Sequence, residues 1–272
     1  MVLSETQLSG KTRKLRADIV KMLHKAGSGH PGGSLSSIDL LAVLYNRVMR
    51  HNPKDPTWVD RDRFVLSKGH ICPAVYAVLA DCGYFDEKVL MTLRKYGSML
   101  QGHPYMGKTP GFDVSSGSLG QGLSIAVGMA IAAKNDHSSV RTYCLMGDGE
   151  QQEGQIWEAV MAGAQYKLDN LCAIVDYNGL QIDGDVEKVM GIAPLDEKWA
   201  AFNWHVIMID GHNLESIEKA FEEAETYKGK PTVIIAKTAK GKGISFMENN
   251  PAWHGLAPND AQLKLALTEL GY

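Results

Sequence analysis

Asp148 lies in Leu145-Met146-Gly147-Asp148-Gly149-Glu150, and Asn178 lies in Asp176-Tyr177-Asn178-Gly179. Each closes an apolar run, Val140 to Met146 and Leu171 to Val175, with a helix-like segment between them. In a parallel sheet the ends of two neighbouring strands open onto one crevice, where α/β folds bind ligands. One carboxylate and one amide oxygen would meet there. Hard oxygen ligands of this kind suit Mg²⁺ or Ca²⁺ shared with a diphosphate. Gly147 and Gly149 allow close backbone approach. The amides that follow, of Gly149 and Glu150, sit near a helix start and can face phosphate oxygens. Other phosphate loops fit worse. A dinucleotide fingerprint needs glycine where Gln152 stands, and Lys240-Gly241-Lys242-Gly243 lacks the spacing and hydroxyl of a Walker loop. Singly, Gly-Asp-Gly and Asn-Gly are common turn sequences; it is the pairing that favours a site.

The elements that must position these residues show in the apolar pattern. Strand-like runs fall at 140–146, 171–175, 205–209 and 232–236, and helix-like segments near 152–166 and 214–226 separate two of these pairs. Such alternation predicts an α/β fold, a mainly parallel sheet with helices on both faces and right-handed connections. Upstream, Leu8, Leu15, Ile19, Met22 and Leu23 recur at helical spacing, and that helix should end near Ala26-Gly27. Ser36 or Ser37 can cap a second helix through about Met49. Phe64-Val65-Leu66 reads as a buried strand, followed by helices near Pro73 to Leu79 and Asp86 to Tyr96. Residues 97–116 form a loop too long for a routine connection. Gly120 to Ala133 reads as a helix of small residues, 237–258 as a second long loop and 259–270 as a last helix. The sequence contains no internal repeat and no convincing domain boundary.

Composition narrows the class. At 272 residues, 44% hydrophobic, the chain can bury a sizeable core. A formal charge of −3 gives no electrostatic case for nucleic acid. No apolar run suggests a membrane span, and the Met-Val-Leu-Ser-Glu-Thr start lacks the pattern of a secretion signal. Cys72, Cys82, Cys144 and Cys172 form no close pair, and a reducing cytoplasm fits best. The histidines show no His-x-x-x-His zinc spacing.

Taken in order, several segments resemble those of transketolases among the thiamine-diphosphate enzymes. They are Ser28-Gly29-His30-Pro31-Gly32, Asp62 to His70, Gly102-His103-Pro104, Gly117-Ser118-Leu119-Gly120-Gln121-Gly122, Gly147-Asp148-Gly149, Glu153-Gly154, Asp176 to Gly179, Lys237 to Gly241 and Trp253-His254-Gly255. The match covers almost the whole chain. Gly-Asp-Gly marks the cofactor class; Ser67-Lys68-Gly69-His70 and Trp253-His254-Gly255 narrow it to transketolase-like enzymes.

The resemblance implies thiamine diphosphate with Mg²⁺ (or Ca²⁺ or Mn²⁺), the metal held by Asp148, Asn178 and the Leu180 carbonyl. His70, Lys240 and His254 would approach the diphosphate, as would Gly149, Glu150 and Asn178. Gly117, Ser118 and Leu119 would border the thiazolium ring, although Ser118 stands where many family members have proline. His30 and His103 would face the sugar donor and move protons near neutral pH. Glu153 would bond to the catalytic glutamate of a neighbouring subunit, whereas Glu150 and Glu158 suit exposed acidic positions near a helix start. The implied reaction transfers a two-carbon ketol unit between sugar phosphates of the pentose phosphate route.

A further implication concerns what is lacking. In the family, the glutamate that holds the aminopyrimidine ring belongs to a separate pyrimidine-binding domain. Residues 1–272 read as a single diphosphate-binding domain, so the expectation is a split transketolase. A C-terminal partner chain would carry that domain and its glutamate, with two copies of each chain. The alternatives are a split transketolase for an unusual sugar, a 1-deoxyxylulose-5-phosphate synthase-like enzyme, a dehydrogenase E1-like subunit, or a non-catalytic scaffold subunit.

Overall fold

The computed structural model describes residues 4–182 and 184–272. Helix α1 (Glu5–Ala26) begins with a capping box: the Ser4 hydroxyl accepts from the Gln7 amide, and the Gln7 side chain accepts from the Ser4 N–H. It stops at Gly27, whose φ of 67° lies in the left-handed region that glycine tolerates. Then come α2 (Pro31–Val43), β1 (Arg63–Leu66), α3 (Cys72–Asp81), α4 (Gln121–Asn135), β2 (Thr142–Gly147), α5 (Gly154–Gln165) and β3 (Leu171–Tyr177). Next are a small antiparallel pair, β4 (Leu180–Gln181) and β5 (Gly184–Asp185), and helices α6 (Val186–Met190) and α7 (Leu195–Ala201). The chain closes with β6 (His205–Asp210), α8 (Leu214–Thr226), β7 (Thr232–Lys237) and α9 (Asp260–Leu270).

Five strands form one sheet in the order β1-β2-β3-β7-β6, every pair parallel. Side chains alternate between its faces. Phe64, Leu66, Tyr143, Leu145, Ile174 and Ile234 enter a core shared with α1, α2, α3, α8 and α9. Val65, Cys144, Met146, Ala173, Val175, Val233 and Ile235 enter a second core with α4, α5 and α7. Both faces are therefore covered, which is why these strands read as unbroken apolar runs. From β2 to β3 the chain crosses by α5 on the second face. From β6 to β7 it moves the opposite way along the sheet and crosses by α8 on the first face, so both crossovers share a hand.

Three local expectations need correction. The second helix begins at Pro31, with His30 as its N-cap, and runs on into a π-helical turn at Leu44–Val48. Proline suits the first helical position, where its missing N–H costs nothing. Ser36 and Ser37 lie inside that helix and send their hydroxyls to Asp176. Between Asp86 and Tyr96 only a 3₁₀ turn forms, Glu87–Thr92, and Arg94 leaves the helical region altogether at φ 60°. The small elements β4, β5, α6 and α7 fall within what the sequence offered as connection.

The long loop 97–116 is fastened by bonds such as Tyr76 OH to the Gln101 carbonyl and Thr109 Oγ1 to the Met99 carbonyl. On the outer side of α4 and α5, Ile125 and Met161 are exposed, as is Tyr166 just beyond. Among the described residues no helix is long and apolar enough to cross a membrane.

Candidate active site at the ends of β2 and β3

A cavity of about 320 Å³ opens at the carboxyl ends of β2 and β3, which lie side by side with Gly147 opposite Asp176. Asp148 sits at its floor, 3% exposed. Its carboxylate accepts from the amides of Gly149 (2.8 Å) and Gly179 (2.5 Å), so the turn after β3 folds onto it. Burial first, then the charge of Asp176, raise the Asp148 carboxyl to about 6. Asn178 accepts from the Leu180 amide through Oδ1 at 3.1 Å and donates through Nδ2 to Asp176 at 3.3 Å.

Lys240 enters from the loop after β7, 2% exposed. Its ammonium donates to the Leu180 carbonyl at 3.0 Å and meets His254 Nδ1 at 2.9 Å. Burial lowers Lys240 to about 8. The rings of His30, His70 and His254 cluster, with centroids 5.1 Å (His30 to His70) and 5.4 Å (His254 to each of the others) apart. Burial, reinforced by nearby cations, holds His30 and His254 at about 4 and His70 well below its ordinary value. All three are neutral imidazoles at pH 7. His30 Nδ1 is buried without a partner among the described residues, a polar atom free for a ligand.

Gly117, Leu119, Gly149, Glu150 and Glu153 also line the cavity. His103 stands exposed beside Gly117, where an added Cβ would lie 3.3 Å from His103 Cδ2. When protonated, it adds to the lowering of His30, after burial and Arg94. Ser118 is exposed and borders a separate shallow surface with Ile125 rather than the cavity. Glu153 is exposed at the rim against Gly120, and Glu158 is exposed on α5. Glu150 corrects the reading of an exposed acid. It is 2% exposed and accepts from the Ser67 hydroxyl, the Gly120 amide (2.8 Å) and the Gly147 amide (3.0 Å). The 3₁₀ turn Gly149–Gln152 swings its side chain back under the end of β2.

Two residues central to the site, Asp176 and Lys68, are given no role by sequence reasoning. Asp176 is fully buried and collects Lys68 Nζ (2.5 Å), Ser36 (2.5 Å), Ser37 (2.9 Å) and Thr238. Burial alone would raise its pKa; the Lys68 ammonium, then the hydroxyls of Ser36 and Thr238, hold it down at about 2. Both residues sit inside family-like segments, but their burial, which gives them their importance, is invisible in residue type.

Residues 4–272 match the family model described as transketolase, thiamine diphosphate binding domain. The chain belongs to that transketolase family. It is 47% identical over 270 residues to a 6-deoxy-6-sulfo-D-fructose transketolase subunit of Clostridium sp. (strain MSTE9), covering 98% of each chain. It is 45% identical over 260 residues to one of the subunits of an apulose-4-phosphate transketolase from Phocaeicola vulgatus, covering 96% of this chain and 92% of that one. The crystal structure of transketolase from Campylobacter jejuni superposes with a TM-score of 0.94 at 37% identity, over 99% of this chain and 43% of that one. The chain thus spans less than half the length of that solved transketolase.

The transketolase cofactor class fits the residues present. Asp148, Asn178 and the Leu180 carbonyl offer oxygen donors, the kind a hard divalent cation takes. The Leu180 carbonyl already accepts from a cation, the Lys240 ammonium. Asp148 has no salt-bridge partner among the described residues, and these residues hold no cluster of three or more His, Cys, Asp or Glu suited to a metal. A cation here would need further oxygens, which a diphosphate supplies. The neighbouring donors, Lys240 and the neutral histidines, suit those same oxygens.

Proposed function

We propose that this chain is the diphosphate- and metal-binding subunit of a transketolase that moves a two-carbon ketol unit from a ketose phosphate to an aldose phosphate. One observation carries the reading: Asp148, Asn178, the Leu180 carbonyl, Lys240, His254 and His70 gather around one cavity at the ends of β2 and β3. Asp148, Asn178 and Leu180 would hold Mg²⁺, Ca²⁺ or Mn²⁺. His70, Lys240, His254 and the amides of Gly149 and Glu150 would hold the diphosphate. Gly117 and Leu119 would flank the ring, with Leu119 excluding water; Ser118 would act through its backbone. Bound thiamine diphosphate would supply the nucleophilic carbon that takes up the ketol unit. His30 and His103, neutral near pH 7, would take and return protons at the sugar hydroxyl and carbonyl.

On this reading residues 1–272 are one diphosphate-binding domain, and the pyrimidine-binding domain, with its catalytic glutamate, belongs to a C-terminal partner chain. Glu153, exposed at the rim, would bond to that glutamate, since two carboxyls sharing a proton raise one pKa. Two copies of each chain around a two-fold axis give closed symmetry. The relatives of matching length are named as transketolase subunits, which supports the split arrangement. Free cysteines throughout are in keeping with a reducing cytoplasm.

A second reading draws on the same relatives: their names specify 6-deoxy-6-sulfo-D-fructose and apulose-4-phosphate, so the sugar here would be an unusual one rather than an intermediate of the pentose phosphate route. One experiment serves both. Each chain is assayed alone and mixed, with thiamine diphosphate and Mg²⁺, against a panel of ketose donors and aldose phosphates. Transfer by the mixture alone supports the split subunit, and the preferred pair names the sugar. Robust turnover by this chain by itself overturns the reading.

A further inference from the structure

The loop that carries Lys240 is gripped on both sides by side chains with no part in the proposed reaction. Arg16 of α1 forks onto Asp39 of α2, Nη1 to Oδ1 at 3.0 Å and Nη2 to Oδ2 at 2.6 Å. The same arginine donates through Nε to the Lys242 carbonyl at 3.0 Å. Asp39 Oδ2 also meets Nδ1 of His212, just beyond β6, at 2.8 Å. On the far side of that ring, Nε2 accepts the Ala239 N–H at 2.8 Å.

These contacts fix a tautomer. An amide N–H can only donate, so His212 Nε2 must be bare. The ring proton therefore sits on Nδ1 and goes to Asp39. The result is a relay from a buried guanidinium, through a carboxylate and an imidazole, to one backbone amide.

Its target is informative. Ala239 precedes Lys240 and Lys242 follows it by two, so the grips bracket the lysine. Between them, the Gly241 amide donates to the Gly32 carbonyl at 2.9 Å. Gly241 has a φ of 78°, and a Cβ there would lie 2.3 Å from the Met247 carbonyl oxygen. From Ala239 to Asn250 the chain has no helix or strand to hold it. A lysine has a flexible four-carbon stem, so where its ammonium stands depends on how firmly its Cα is held.

We propose that His212, backed by Asp39 and Arg16, is a positioning residue for Lys240. By accepting the Ala239 amide it fixes the loop so that the ammonium reaches the Leu180 carbonyl and His254. The inference rests on the functional reading for what fills the cavity; the clamp itself does not.

Two substitutions separate positioning from mere stability. In His212→Gln, Oε1 reaches the place of Nε2 and can still accept from Ala239. In His212→Asn, the shorter amide reaches the place of Nδ1 and keeps Asp39, but leaves Ala239 without an acceptor. Amide hydrogen exchange at Ala239 is measured on this chain. Calorimetric affinity for thiamine diphosphate with Mg²⁺ is measured on the chain assembled with its partner.

Loss of one such hydrogen bond is expected to cost about tenfold, in exchange protection and in Kd. Asn should show both losses, and Gln should stay within about threefold of the unmutated protein on the same grounds. Unchanged Kd in both variants, or Asn outperforming Gln, overturns the proposal. Should the variants fail to fold, the unmutated chain still decides: fast exchange of the Ala239 amide overturns the clamp. If the unmutated assembly takes up no thiamine diphosphate, the functional reading is what fails, and the exchange measurement alone judges the clamp.

Discussion

Asp148 combines three traits that rarely meet in a structural carboxylate: burial, amide donors on both oxygens and no cationic partner within salt-bridge distance among the described residues. Asp148→Ala should therefore remove Mg²⁺-dependent binding of thiamine diphosphate while leaving the sheet intact. Supporting residues around a metal cost about 10–100-fold when lost, and a direct ligand should exceed that in a calorimetric titration of the assembled protein. Undiminished affinity would sink the metal assignment. His103 predicts the opposite pattern. It is exposed beside Gly117 and outside the cavity that Asp148 floors. His103→Ala should lower ketol transfer by about 10²–10⁴-fold, the usual worth of a general acid–base group, and spare cofactor affinity. A fall under about tenfold at saturating substrate would make it a bystander. At this scale the sequence exposed residues whose type announces chemistry: Asp148, Asn178, Lys240 and the histidines. It hid Asp176, Lys68 and the inward turn of Glu150, because a carboxylate reads the same whether it points to water or under a strand.

Asp176 matters through the elements it ties. Its carboxylate joins α2 through Ser36 and Ser37, the loop after β1 through Lys68 and the loop after β7 through Thr238. Asp176→Ala leaves the Lys68 ammonium, 2% exposed, without its counter-charge. Breaking a buried pair this way costs about 3–5 kcal/mol, which denaturant unfolding should register as a lower midpoint at an unchanged slope. The histidine cluster, from the start of α2, the turn after β1 and the last long loop, predicts a pH effect. His30 and His254 are held at about 4 in the fold against an ordinary 6.5. Between those values the unfolded chain binds protons that the folded chain refuses. Stability should therefore fall as pH drops from 6.5 towards 4, with the full penalty below 4. Replacing both with Asn should flatten that limb of a melting-temperature profile; an unaltered limb would contradict the assignment. The long periodic elements were legible in advance: α1, α4, α5, α8, α9 and the five sheet strands. The start of α2 was not, because Ser36 and Ser37 look like caps until Asp176 is seen to take their hydroxyls. Nor were α6 and α7, too short to show a helical period.

The chain covers 43% of a solved transketolase yet nearly all of relatives named as subunits. If the cofactor bridges unlike chains, it should bind tightly only to the assembled form and stabilise it by mass action, by about 2.7 kcal/mol at a hundredfold excess over Kd. Sedimentation of the two chains together should show mass rising on addition of thiamine diphosphate and Mg²⁺. An unchanged mass with full activity would contradict a bridging role. The fold also leaves Ile125 on α4, Met161 on α5 and Tyr166 beyond it open to water. Where exposed apolar side chains adjoin on a lone protein, they invite self-association. Surplus copies of this chain in a cell would then be an aggregation load, however stable each copy is. If a partner chain covers these side chains, steady-state abundance should follow the rate at which both chains are made, with quality control clearing the excess.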